Sequence, residues 1–148
     1  MVSIQNTKFV NLIPPVAVKD NTAWVTTEVD TLGYDYATFI VNLGASDIAV
    51  AALKLTESDT SGSGFTDVTG AIYGTSANIA GSTSALPTAT DDDDIFVIEV
   101  DLRGGRKRYM DVSATAGNGT TGTYASGICI LSRATNVPQT AAERGCNQ

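Results

Sequence analysis

The chain has no histidine in its 148 residues. Histidine is the usual general base near neutral pH and the commonest metal ligand. Its absence removes imidazole-based triads and His-ligated metal sites from the candidate functions. Only two cysteines are present, Cys129 and Cys146. That is too few for a disulfide framework or a thiolate zinc site. Charged residues make up 17% and the formal net charge is -7. An acidic chain is ill suited to generic binding of a phosphate backbone. It favours solubility, or a partner with basic patches. No apolar run approaches the length of a membrane span. Residues 1–8 lack the apolar core of a signal peptide, so synthesis and folding in a cytoplasm are expected.

What is present points to strands. The 14 glycines, with abundant Ser and Thr and 43% hydrophobic residues, suit strands and turns better than helices. The length fits one domain, burying roughly 68–70% of its unfolded surface. Apolar residues fall in short alternating runs bounded by Gly, Ser, Thr and Asp. Residues 8–18 read as a strand broken by Pro14-Pro15, which places it at a sheet edge or a crossing between sheets. Residues 22–29 alternate, with Ala23, Val25, Thr27 and Val29 on one face and Trp24 on the other. Residues 36–43 are expected to turn Ala37, Phe39, Val41 and Leu43 inward. Residues 48–57 are expected to do the same with Ala49, Ala51, Leu53 and Leu55. A short strand at 65–68 precedes a long polar stretch, 74–94, which is either functional or a crossover between sheets. In residues 95–103, Phe96, Ile98, Val100 and Leu102 face inward. The Gly104-Gly105 pair predicts a hairpin with a three-residue loop, setting Val100 opposite Met110 and Ile98 opposite Val112. Residues 122–133 alternate little, which suggests burial on both faces. One helical turn is expected at 140–144. The fold class is therefore all-β: a two-sheet antiparallel β-sandwich of about eight strands, jelly-roll in variant. Residues 8–133 form the domain, between extended arms at 1–7 and 134–148.

Five groups of residues could carry chemistry. Asp91-Asp92-Asp93-Asp94 could supply oxygens to calcium, but successive side chains diverge and no spaced ligand loop accompanies them, so a solvated acidic turn is the better reading. Glu99 and Asp101 stand about 7 Å apart on one strand face, a separation that glycosidases use. Adjacent Arg103, Arg106, Lys107 and Arg108 can instead balance them. Those four basic residues form a tip that either contacts an acidic partner or neutralises Asp101, Glu99 and the Asp tract. Only Tyr109 is near enough for stacking, so nucleic-acid binding is not expected. Trp24, Tyr34 and Tyr36 could form an aromatic sugar platform, although core packing is the commoner use of such residues. Cys129, in an apolar run, reads as a small buried hydrophobe, and Cys146 as exposed. No catalytic residue, cofactor site or metal site is assigned.

Four phrases carry a resemblance. They are Asp30-Thr31-Leu32-Gly33-Tyr34-Asp35-Tyr36-Ala37, Ala52-Leu53-Lys54-Leu55-Thr56-Glu57-Ser58-Asp59, Asp101-Leu102-Arg103 before the basic tip, and Thr140-Ala141-Ala142-Glu143-Arg144-Gly145. Together they resemble small virion proteins of tailed bacteriophages. The resemblance implies a head decoration (cement) protein that binds outside the capsid shell, commonly as a trimer. The expected partners are then the major capsid protein and further copies of the chain in a homotrimer, with no membrane and no nucleic acid. The expected location is the head surface of the virion. The expected interface residues are Val2, Ile4, Arg103, Arg106, Lys107, Arg108, Glu143 and Arg144, with both arms packing on neighbouring subunits or on the shell. Residues 58–68 also resemble sugar-binding sandwiches, so a carbohydrate-binding module is the alternative.

Overall fold

The computed structural model describes residues 6–74, 85–136 and 139–145. Its strands are β1 (Lys8–Ile13), β2 (Val29–Asp30), β3 (Tyr34–Leu43), β4 (Ala52–Ser58), β5 (Thr66–Ile72), β6 (Ile95–Asp101), β7 (Tyr109–Thr115) and β8 (Ala125–Ala134). No α-helix occurs among the described residues. The strands form two four-stranded sheets, ordered β1-β8-β3-β6 and β2-β7-β4-β5. All neighbours within them are antiparallel.

This order is a jelly roll. The pairs β1–β8, β2–β7, β3–β6 and β4–β5 nest inside one another, and successive pairs alternate between the sheets. Every connection therefore crosses between sheets except β4–β5. The chain between β5 and β6 accordingly passes from one sheet to the other, in line with a crossover at 74–94, of which residues 75–84 lie outside the described residues. The β1 strand lies at a sheet edge and stops before Pro14-Pro15, because proline cannot donate to the ladder.

The same topology overturns the expected hairpin. Strands β6 and β7 lie in different sheets, so Val100 does not face Met110, nor Ile98 Val112. Val100 stands opposite Ala37 and Ile98 opposite Phe39. Met110 stands opposite Val29 and Glu57. The chain leaves β6 through a 3-10 turn, Leu102–Gly104. The Asp101 side chain accepts a bond from the Arg103 backbone N–H, and Gly105 takes the left-handed conformation at φ 81. A crossing geometry thus replaces the reversal that two glycines suggested.

Side chains from both sheets meet in one core. Leu12, Phe39, Val41 and Leu131 come from the first sheet, and Leu55, Met110 and Val112 from the second. The expected inward sets of β3 and β6 are found, with Ala37, Phe39, Val41, Leu43, Ile98 and Val100 buried. Two other expectations are corrected. Residues 22–29 do not alternate as expected: Ala23, Val25 and Thr27 are exposed, while Val29 is buried along with Trp24. Trp24 is 5% exposed while Val25 is 66% exposed. The backbone here runs along the end of β7, with Trp24 N–H donating to the Ala114 carbonyl, and the indole closes that end of the core. Ahead of β4, Val50 is buried and Ala51 exposed, because residues 48–51 bend and bond to Pro87 and Thr115 rather than continue the pleat. Leu53 and Leu55 are buried as expected.

Cys129 is fully buried with a free thiol. Burial pushes that thiol up to about 12. Cys146 lies outside the described residues.

Candidate interaction surface

The four basic residues of the expected tip are each engaged within the chain. Arg103 pairs with Asp101 through its guanidinium. Arg108 makes two bonds to the Asp30 carboxylate, Nε to Oδ1 at 2.8 Å and NH2 to Oδ2 at 2.7 Å. Arg106 lies 3.6 Å from Glu57. The Lys107 backbone N–H donates to the Glu57 carboxylate, and its ammonium to Thr66 Oγ1 at 3.1 Å. The three arginines are thus paired locally, with Asp101, Glu57 and Asp30, while the Lys107 ammonium meets a hydroxyl. Of the expected acids only Asp101 takes part in these pairs; Glu99 and the Asp tract do not. The Arg108 guanidinium holds the Asp30 carboxyl below the usual carboxylate range.

The other candidates also serve the fold. Asp91 accepts from the Thr88 N–H at 2.7 Å and the Thr88 hydroxyl at 2.8 Å, and Asp92 accepts from the Ser46 N–H. Among the described residues no three metal-ligating side chains converge. Asp101 is held well below the carboxylate range by Arg103, which suits an ion pair and not a general acid. Of the aromatic platform, Trp24 is lost to the core. Tyr34 accepts a bond from Gln139 Nε2 at 2.7 Å, and Tyr36 lies under the Arg133 guanidinium at 5.4 Å.

Val2 and Ile4 fall outside the described residues. Residues 139–145 lie along the edge of their own domain, with the Phe9 N–H donating to the Arg144 carbonyl at 2.8 Å. Residues 140–144 make the expected helical turn, closed by Arg144 N–H to the Thr140 carbonyl. The Glu143 carboxylate caps it, accepting from the Thr140 N–H and hydroxyl.

The feature that remains is the outer face of the β1-β8-β3-β6 sheet. The register sets Asn11, Ile128, Ile40 and Val97 in one cross-strand row. The next row holds Phe9, Ile130, Thr38 and Glu99. On the other side lie Ser126, Asn42 and Ile95. Ile95 is 62% exposed, Ile128 42% and Val97 37%. A hollow of about 310 Å³ opens here, between Ile13, Pro15, Ile40, Ile95 and Ile128. The matching face of the other sheet is polar, carrying Lys54 paired with Asp67, Thr56, Asp111, Ser113 and Thr115. One sheet thus meets water with ordinary chemistry, and the other presents branched aliphatic side chains.

No protein-family model, curated protein or solved structure matches this chain.

The apolar face was missed as a site, although its signal was in the sequence. Residues 122–133, with Ile-Cys-Ile-Leu at 128–131, alternate too little for a half-buried strand and suggest burial on both faces. Of those four residues only Cys129 and Leu131 are buried, and Ile128 faces outward. The near-continuous apolar run reflects a face that the chain itself leaves uncovered. Such a face can bind a surface of like polarity.

Proposed function

We propose that this chain is a structural protein of a tailed-bacteriophage virion. In this reading it is a decoration protein that binds the outer head surface as a homotrimer and braces the shell built by the major capsid protein. The observation that carries the reading is the division of labour among its side chains. The charged clusters are used largely in caps and in-chain ion pairs, while one sheet face exposes a patch of aliphatic side chains, Ile95, Val97 and Ile128. That arrangement suits a protein that holds on to other protein surfaces. The resemblance of its four phrases to small virion proteins supplies the partner. Trimers suit a shell because local three-fold positions recur between capsomers, and three weak contacts add through multivalency.

The test is attachment of the purified protein to phage heads that lack it. Saturable, stoichiometric co-sedimentation, with heads that better resist heating, is the expected result. Binding on a glycan array without any attachment to heads would instead establish the carbohydrate-binding alternative.

A further inference from the structure

We propose that Asn118 is a self-modification site: the backbone nitrogen of Gly119 attacks its side chain, Asn118 becomes aspartate or isoaspartate, and Asp20 holds that step back in the folded chain. The modification goes beyond the proposed function and is independent of what the chain attaches to.

The chain has eight asparagines, and Gly follows only Asn118. The others precede Thr, Leu, Ile, Val or Gln. Ring closure needs the next residue's nitrogen to reach the Asn side-chain carbon, and a side chain on that residue obstructs the approach. Gly has none, and its backbone turns freely. Asn118 is exposed, and its carboxamide has no hydrogen-bond partner among the described residues. It is therefore free to turn onto the Gly119 nitrogen. That nitrogen gives its proton to solvent and bonds to Asn118 Cγ. The side-chain amide takes up a proton and leaves as ammonia. Water then opens the cyclic imide. Breaking the bond from nitrogen to Cγ yields aspartate. Breaking the bond to the backbone carbonyl carbon yields isoaspartate, whose main chain is one carbon longer.

The folded loop opposes this step. The Gly119 N–H donates to Asp20 Oδ1 at 2.8 Å. Attack must break that bond, and the attacking nitrogen is an amide anion, which an adjacent carboxylate disfavours. The rest of the loop keeps the nitrogen in place. The Asp47 carboxylate accepts from the N–H groups of Thr120 and Thr121. The Asn21 N–H donates to the Gly117 carbonyl at 2.9 Å, and Lys19 and Thr123 exchange both of their backbone bonds. A Cβ on Gly117 would stand 2.1 Å from the Ala49 carbonyl oxygen, and one on Gly119 would stand 2.1 Å from Asp47 Oδ1. The loop thus lies tight against the segments around residues 20 and 48. The product loosens it. The new carboxylate joins Asp20 and Asp47 in a chain already at -7, and the longer isoaspartate backbone draws the Gly119 N–H off Asp20.

The test is peptide mass mapping of the full chain aged in buffer, native and in urea, with Asp20→Ala and Asp20→Asn beside wild type. Circular dichroism checks that each variant is folded in buffer. Asn118 is expected to convert in preference to Asn21 and Asn42, which are also exposed, and faster in urea than in the native chain. Asp20→Ala should raise the native rate roughly three- to tenfold, the weight of one partly exposed bond to a charged acceptor expressed as a rate. Asp20→Asn keeps an oxygen acceptor without the charge and should fall between. In urea all three chains should convert alike. If Asp20→Ala fails to fold, Asp20→Asn and the comparison of native with denatured wild type still decide. Asn118→Asp, which carries the charge of the product, should melt below wild type. Native Asn118 that converts no faster than Asn21 and Asn42 overturns the site. Folded Asp20 variants that convert at the native wild-type rate overturn the hold, and an Asn118→Asp chain that melts with wild type overturns the loosening.

Discussion

Adjacent cross-strand pairs of the first sheet should respond to truncation in opposite ways. Phe39 is 0% exposed and stands opposite Cys129 and Ile98, so its ring fills the space between the sheets. Ile40, the next residue, stands opposite Ile128 and Val97 on the outer face. Phe39→Ala removes buried transfer energy and leaves a cavity, at a cost of about 3–5 kcal/mol. For a domain of this length each kcal/mol moves the melting temperature by about 2–4 °C, so a fall of about 6–20 °C is expected. Against a total stability of about 5–15 kcal/mol, that is a large fraction. Ile128→Thr keeps the β-branched shape that strands favour, and should change the stability of the single chain by less than about 1 kcal/mol. The assay is urea and thermal unfolding of wild type and both variants over a range of protein concentration, because association adds apparent stability by mass action. Phe39→Ala should destabilise equally at every concentration with an unchanged urea slope. Ile128→Thr should lower stability only at concentrations where copies associate. If Phe39→Ala shifts melting by less than about 3 °C, or Ile128→Thr costs as much at high dilution, the assignment of inner and outer faces is wrong.

Burial raises the carboxyl of Asp111 despite a bond from Thr26, and nearby Glu28 adds to the effect. Because the folded value lies above the unfolded one, charging Asp111 costs stability. That cost is fully present above the folded value and vanishes as pH falls below the unfolded one. Asp111→Asn should therefore raise the melting temperature at about pH 7 and much less at about pH 3; an equal gain at both would show that titration is not its cause. The thiol of Cys129, pushed up to about 12 by burial, should resist iodoacetamide in the folded chain and react only in denaturant. Peptide mass mapping reads this directly, and rapid native labelling of Cys129 would contradict its place in the core.

Local pattern made the sheet faces legible. Alternation in residues 36–43 and 95–101 identified the inward side chains, since a pleated strand turns successive residues to opposite sides whatever it pairs with. Pro14-Pro15 marked an edge because a proline has no N–H to give. The candidate surface was half legible: the run at 128–131 signalled two apolar faces, but not that the second would remain open. The hairpin at Gly104-Gly105 failed for a different reason. Two glycines permit a reversal and equally permit a crossing, and the choice depends on whether β3 or β7 takes β6 as neighbour.

By itself, then, the sequence determined a β-sandwich with an acidic surface, its inner faces and its edge, because these follow from side-chain period, backbone donors and charge along the chain. Only the tertiary structure decided the nested order of the strands, the burial of Trp24, the in-chain partners of the arginines and the open aliphatic face. Each of these depends on contacts between residues far apart in sequence. Arg108 and Asp30 are 78 positions apart, and no local pattern records which distant strand will lie alongside.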